Sequence, residues 1–124
     1  MLENNHEKKP KKYAGILAHP TSFPSPYGIG DLGKGAYRFI DFLANSGLNL
    51  WQVLPLGHTG FGDSPYQPFS AFAGQPLIID LDALKEYKLL SEDDFTDMPE
   101  WDPVHIDYGT LITFKTKLLK LAYE

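Results

Sequence analysis

Leu50-Trp51-Gln52-Val53-Leu54 is an uncharged, largely apolar run cut off by Pro55, and it reads as a short buried strand. A second such run, Tyr13-Ala14-Gly15-Ile16-Leu17-Ala18, lies upstream. Between the two, Ala36, Phe39, Ile40, Leu43 and Ala44 recur at helical spacing, and Gly47 offers a stop. Strand, helix, strand in about forty residues predicts a βα repeat, and hence a parallel sheet in an α/β protein. Farther on, Leu77-Ile78-Ile79 is a third apolar run. Leu111, Phe114, Leu118, Leu119 and Ala122 line one face of a C-terminal helix, for which Asp107 is the expected N-cap.

The connections carry more information than the strands. His19 to Gly33 and Pro55 to Pro76 each follow a strand and far exceed the roughly 2–6 residues usual for such links. Both leave the C-terminal ends of their strands, the face on which α/β proteins build sites. The second loop holds Phe61, Tyr66, Phe69 and Phe72, with Asp63 as its one charge, which argues against disorder.

Composition narrows the function. The chain has 124 residues, 43% hydrophobic and 22% charged, a globular balance in the size range of one domain. Zero cysteines exclude a disulfide scaffold, thiolate metal sites and cysteine catalysis. A net charge of −5 is a poor match to nucleic acid. Residues 1–12 carry four lysines against two glutamates and read as a flexible basic head, leaving 13–124 as the folded part. The first six residues have no apolar core, so no secretory leader is expected. The uncharged stretch from Phe42 to Gly62 contains Asn45, Asn49, Gln52, Pro55 and His58, too polar for a membrane span. The expected location is the cytoplasm. The acidic run Ser91-Glu92-Asp93-Asp94 lacks the Asp/Asn-Gly alternation of a calcium loop and reads as a solvated face.

Three motifs bear on chemistry. Gly28-Ile29-Gly30-Asp31-Leu32-Gly33 matches G-x-G-x-x-G before a helix, the pattern of a dinucleotide-binding turn. Six residues, Ser22 to Tyr27, intervene after the strand region, and Val53 and Leu54 fall where an acidic ribose ligand belongs; the glycines read better as a shaped turn. His6, His19, His58 and His105 show no metal-ligand spacing. His19, at a strand end before Pro20, is open to two readings, a ligand donor or a satisfied structural histidine. Gly60-Phe61-Gly62-Asp63-Ser64-Pro65-Tyr66-Gln67 strings aromatic rings, an amide, a hydroxyl and a carboxylate along a path shaped by two glycines and a proline. Sugars need that mix, with flat rings for C–H faces and short polar groups for hydroxyls. An aromatic-packed loop is the competing reading.

Taken in order, these motifs resemble one family. Ala14-Gly15-Ile16-Leu17, His19-Pro20-Thr21-Ser22, Pro26-Tyr27-Gly28-Ile29-Gly30-Asp31-Leu32-Gly33, Trp51-Gln52-Val53-Leu54-Pro55-Leu56-Gly57, the Gly60–Gln67 octet, Ser70-Ala71-Phe72-Ala73-Gly74 and Asp107-Tyr108-Gly109 resemble the opening of the 4-α-glucanotransferases, the amylomaltases or disproportionating enzymes. The resemblance implies the N-terminal part of a (β/α)₈ TIM barrel with long βα loops. It implies transfer of α-1,4-glucan segments from maltodextrin, starch- or glycogen-derived glucan to another sugar hydroxyl, through a covalent aspartyl intermediate and without metal or organic cofactor. The catalytic carboxylates belong to later strands of that barrel, so no catalytic residue is expected here.

What the resemblance places in this chain is part of the donor site. Tyr66 matches the family tyrosine beside the cleaved sugar, with Ser64 and Asp63 contacting hydroxyls or fixing the loop. Phe61 stands where tyrosine is common, Pro68 where a small polar residue is usual and Gln75 where asparagine is. His19 matches as well, and so does Trp51, for which a packing role inside its strand is expected. The alternative function is a non-catalytic glucan-binding or interaction fragment. The chain by itself is expected to be inactive and marginally stable, since two or three parallel strands leave open edges.

Overall fold

The computed structural model describes residues 12–58, 67, 70 and 72–124. Strand β1 (Gly15–Leu17) and strand β2 (Leu50–Gln52) flank helix α1 (Lys34–Asn45); helices α2 (Leu81–Glu86) and α3 (Tyr108–Tyr123) follow. The strands pair in parallel with Gly15 opposite Leu50, Ile16 opposite Trp51 and Leu17 opposite Gln52. The expected βα unit is therefore present, with strands shorter than their apolar runs. All but one residue of the basic head, 1–11, falls outside the described residues.

Local chemistry sets the element ends. Past α1, Gly47 takes φ 71°, its N–H bonds the Ala44 carbonyl at 3.0 Å, and Leu48 N–H bonds the Leu43 carbonyl at 2.9 Å. This is the Schellman closure that the position of Gly47 predicts. Asp107 caps α3, accepting from the Thr110 N–H at 3.2 Å. The third apolar run takes a different form from the first two. Pro76–Ile78 is a 3₁₀ turn, because Pro76 sets the opening φ and the Gln75 side chain accepts the Leu77 N–H.

Most of the core lies away from the sheet. Tyr27, Leu81, Leu90, Phe114 and Leu118 form one buried cluster, and Ile29, Leu77 and Leu111 a second, with Trp101 packed against both. Helix α3 thus gathers the glycine-rich segment, the 76–81 segment and α2 around itself. Helix α1 is held on β2 by a smaller aromatic group: Phe39 lies 5.3 Å from Trp51 and 4.9 Å from Phe23 between ring centroids.

The three glycines of the G-x-G-x-x-G match face protein. Gly28 has φ 77°, and a Cβ there would come within 2.4 Å of Trp101 Cε3. Gly30 N–H is taken by the Thr21 carbonyl and Gly33 N–H by Asp31 Oδ1, both near 3 Å. Those amides are committed to the turn, so the pyrophosphate reading falls and the shaped-turn reading stands.

Lys115 crosses this core as a cation. It is fully buried, and its Nζ donates to the carbonyls of Leu77 at 2.6 Å and Ile79 at 3.0 Å. The buried carboxylate of Asp31 and that of Asp80 act on it electrostatically, while burial pushes the ammonium down to about 8. Burial also raises Asp31, opposed by its bond from Gly33 N–H and by Lys115. One side chain on α3 thereby fixes the end of the 76–79 segment, which is also tied to the first loop through Leu32 N–H to the Ile78 carbonyl at 3.0 Å.

Three outcomes follow for stability, each read by chemical denaturation of the isolated chain or of a longer protein containing it. Gly28→Ala, forced into positive φ against the Trp101 ring, costs about 2 kcal/mol. Lys115→Met leaves two carbonyls and Asp31 uncompensated and costs about 3 kcal/mol or more at pH 7. The Lys115 pKa lies below its unfolded value of 10.5, so the unfolded chain binds more protons above pH 8. Stability therefore rises by about 1–2 kcal/mol from pH 8 to 9.5, and Lys115→Met removes that rise. Tyr27, whose pKa burial raises, opposes the trend only as the pH nears 10.

Candidate functional site

Because β1 and β2 are parallel, both long loops leave from the same end of the sheet. The first loop begins at His19, which is half-buried and acts first as a cap. Its Nδ1 receives the Thr21 N–H at 3.4 Å and lies 2.6 Å from the Thr21 hydroxyl, closing the 3₁₀ turn Pro20–Ser22. With Nδ1 accepting, the neutral ring carries its proton on Nε2. Nε2 is buried and has no partner among the described residues. The two readings of His19 are thus not exclusive: one nitrogen is structural, and the other is a donor without an assigned acceptor.

Trp51 settles on the packing side. Its Nε1 donates to the Ala18 carbonyl at 2.8 Å, beside His19, and its ring lies among Phe23 and Phe39. The tryptophan locks the C-terminal end of β1 onto β2 and so sets where the first loop departs.

The second loop has a closed neck. Gly57 and Gly74 form an antiparallel bridge, and Gln75 N–H donates to the Leu56 carbonyl at 2.8 Å. Ser70 Oγ accepts the N–H groups of Phe72 and Ala73, each at 3.2 Å, and the Phe72 ring is 99% exposed. Phe61, Asp63, Ser64 and Tyr66, the residues expected in the donor site, lie outside the described residues, as does Pro68. What the structure provides is their frame: a loop pinched at 56–57 and 74–75 whose exit runs into the segment held by Lys115.

The first loop is pinned from its other end. Tyr27 Oη donates to Asp82, Lys85 Nζ lies 3.1 Å from Asp82 and 3.2 Å from Glu92, and it sits 4.8 Å from the Phe95 ring centroid. The Tyr27 bond holds Asp82 below the usual carboxylate range, helped by Lys85. The same group raises Lys85, again with the Tyr27 contact foremost. The loop also walls a cleft of about 680 Å³ together with residues 98–106, including Trp101 and His105; His19 does not line it. Among the described residues no group of three or more His, Asp or Glu is placed to hold a metal ion, and no helix is long and apolar enough to cross a membrane.

Sequence reasoning missed Lys115 and Asp31. For Lys115 a signal existed: position 115 falls inside the apolar stripe formed by Leu111, Phe114 and Leu118, where a solvated lysine does not belong. Asp31 was hidden inside the glycine motif, read there as a spacer.

Comparison with known proteins bears on the whole arrangement. The sequence profile of the 4-alpha-glucanotransferase family, Glyco_hydro_77, matches residues 18–124. The chain is 49% identical over 113 residues to a 4-alpha-glucanotransferase of Synechocystis, covering 91% of this chain and 22% of that protein. It is 51% identical over 106 residues to that of Clostridium butyricum, covering 85% and 22%. Against an amylomaltase of Streptococcus agalactiae solved in complex with acarbose, it superposes with a TM-score of 0.85 at 43% identity, covering 91% of this chain and 23% of that one. The chain thus spans about a fifth of the length of these relatives. On the strength of a profile match over nearly all its folded residues, this chain belongs to the 4-alpha-glucanotransferase family.

Proposed function

We propose that the chain is the donor-side, N-terminal portion of a 4-α-glucanotransferase, and that residues 13–124 supply the first βα units and long loops of a (β/α)₈ barrel, residues 1–12 being a flexible head. The observation that carries this reading is the frame of the two loops. They leave one end of a parallel pair, and each is clamped by main-chain and buried polar contacts, in a segment about half identical to enzymes of that name. The substrates are α-1,4-glucans such as maltodextrins and the products of starch or glycogen, and the site of action is the cytoplasm.

In this reading Tyr66 stacks on the donor ring, Phe61 extends the aromatic surface, and Ser64 and Asp63 meet hydroxyls. His19 Nε2–H, buried with no partner among the described residues, adds a donor at the foot of the site. The chemistry itself is carried by two carboxyls from the rest of the protein, about 5–5.5 Å apart. One attacks the anomeric carbon as the glycosidic C–O bond breaks, and the other gives its proton to the departing oxygen. An acceptor hydroxyl then displaces the carboxylate and returns a proton to the second group. Binding without transfer, the role of a glucan-binding fragment, is what the 124 residues do alone.

The test is a chimera in which this chain replaces the matching N-terminal segment of the Streptococcus agalactiae amylomaltase. The folded chimera transfers glucosyl units between maltodextrins, and the 124-residue chain alone does not. In the chimera, Tyr66→Ala lowers kcat/KM about 100-fold by misplacing the donor ring, and Tyr66→Phe, which keeps the ring, loses much less. A folded chimera with no transferase activity, or transfer by the purified 124-residue chain, overturns the reading.

A further inference from the structure

Three consecutive carbonyls just past the second loop each accept a hydrogen bond from elsewhere in the chain. Leu77 and Ile79 take the Lys115 ammonium at 2.6 and 3.0 Å, and Ile78 between them takes the Leu32 N–H at 3.0 Å. The outer pair of bonds comes from α3 and the middle one from the end of the first loop. The neck of the second loop is only two residues upstream. There Gly74 bridges Gly57, Gln75 N–H donates to the Leu56 carbonyl, and the Gln75 side chain accepts the Leu77 N–H at 3.4 Å. Pro76, with its fixed φ, joins neck to clamp, so the two behave as one stiff unit. The first loop is drawn to the same point. Gly33 ends it with no room for a Cβ, which would stand 2.5 Å from Asp80 Cγ, and Asp31 accepts the Gly33 N–H at 3.0 Å. Asp31 and Asp80 in turn act on Lys115 electrostatically. Lys115 is wholly buried, and so are Leu111 and Leu118 on the same face of α3. Apolar packing holds such a junction together without direction, whereas bonds to two carbonyls fix where along it the backbone lies.

We propose that Lys115 is a positioning residue for glucan transfer: through its bonds to the Leu77 and Ile79 carbonyls it sets the exit of the second loop against the first, and so sets where the donor ring is held. The inference rests on the functional reading above, in which Tyr66 of the second loop and His19 of the first meet the same sugar. Lys115 itself touches no substrate. Without its polar head both loops stay attached, but the exit of the second is no longer held in register with the Leu32–Ile78 bond. A drift of an ångström there costs transfer heavily while leaving most glucan contacts in place. The signature is a fall in kcat per folded molecule at nearly constant KM, which a loss of stability alone does not produce.

The experiment uses the chimera, with its remaining segment freed of cysteine. This chain has none, so Lys115→Cys introduces a single thiol. Alkylated in the unfolded state with bromoethylamine, that thiol rebuilds an ammonium on a thioether arm as long as lysine; alkylated with propyl bromide, it gives an apolar arm of the same length. Both forms are refolded, and rates are expressed per folded molecule. The aminoethyl form is expected to transfer glucan within threefold of the unmodified chimera. The propyl form is expected to lose about tenfold or more in kcat, with KM for maltodextrin changed less than threefold. Leu90→Ala, which hollows the core around Tyr27 and Phe114 away from the clamp, lowers the melting temperature but leaves kcat unchanged. Should the propyl form not fold, Lys115→Gln takes its place: its shorter polar head cannot make both carbonyl bonds, and the same loss of kcat is expected. Unchanged kcat in the folded propyl form, or in folded Lys115→Gln, overturns the proposal and leaves the functional reading intact. An equal fall in kcat with Leu90→Ala also overturns it, since general loosening would then suffice. A folded but inactive unmodified chimera strikes the functional reading, and the proposal with it.

Discussion

The ammonium of Lys115 is the point on which the arrangement turns. It reaches from α3 into a site with no solvent access and takes two carbonyls of the 77–79 segment, with Asp31 and Asp80 supplying negative charge nearby. An apolar residue at this position would fill the space but leave those carbonyls without a donor and the Asp31 carboxylate without its opposing charge. The cation accepts a desolvation cost and in return joins three parts of the chain distant in sequence. The glycine-rich loop, the exit of the aromatic loop and the last helix can then move only together. A site carried on long loops requires this of its scaffold, because misplacement by an ångström is costly to any chemistry set on them.

Around that point the two loops are restrained by different means. The first is held by side chains: His19 and Thr21 at its start, Tyr27 with Asp82 and Lys85 in its middle, Asp31 at its end. The second is held at its neck by main-chain contacts between 56–57 and 74–75. The small sheet does little to stabilise this assembly. Its three-residue strands serve as a fixed origin from which both loops depart in one direction.

Family membership was legible because the second loop and the glycine-rich segment are written in long, ordered motifs that chance does not assemble. The βα unit was legible from periodicity, Gly47 as a helix stop from its place after the apolar face, and Asp107 as a cap from its place before one. The Leu77-Ile78-Ile79 run left its backbone undetermined, because apolar content marks burial and not backbone geometry: Pro76 and the Gln75 side chain made it a turn packed on α3. The glycine match read as a shaped turn because its context lacked that of a dinucleotide site, and the turn is what the structure shows, its glycines making room for an indole ring and a carboxylate.

By itself, then, the sequence determined the family, the parallel βα beginning, the stop of α1 at Gly47 and the cap of α3 at Asp107, and the absence of cysteine chemistry, because each of these rests on local pattern. Only the tertiary structure decided that Gly28 makes room for Trp101 and that His19 gives Nδ1 to a cap while its Nε2 meets no partner among the described residues. It alone showed that a lysine in an apolar stripe ties the loops together. The glycine and lysine contacts depend on residues that meet across many tens of positions of chain, and no local pattern encodes a partner at that distance.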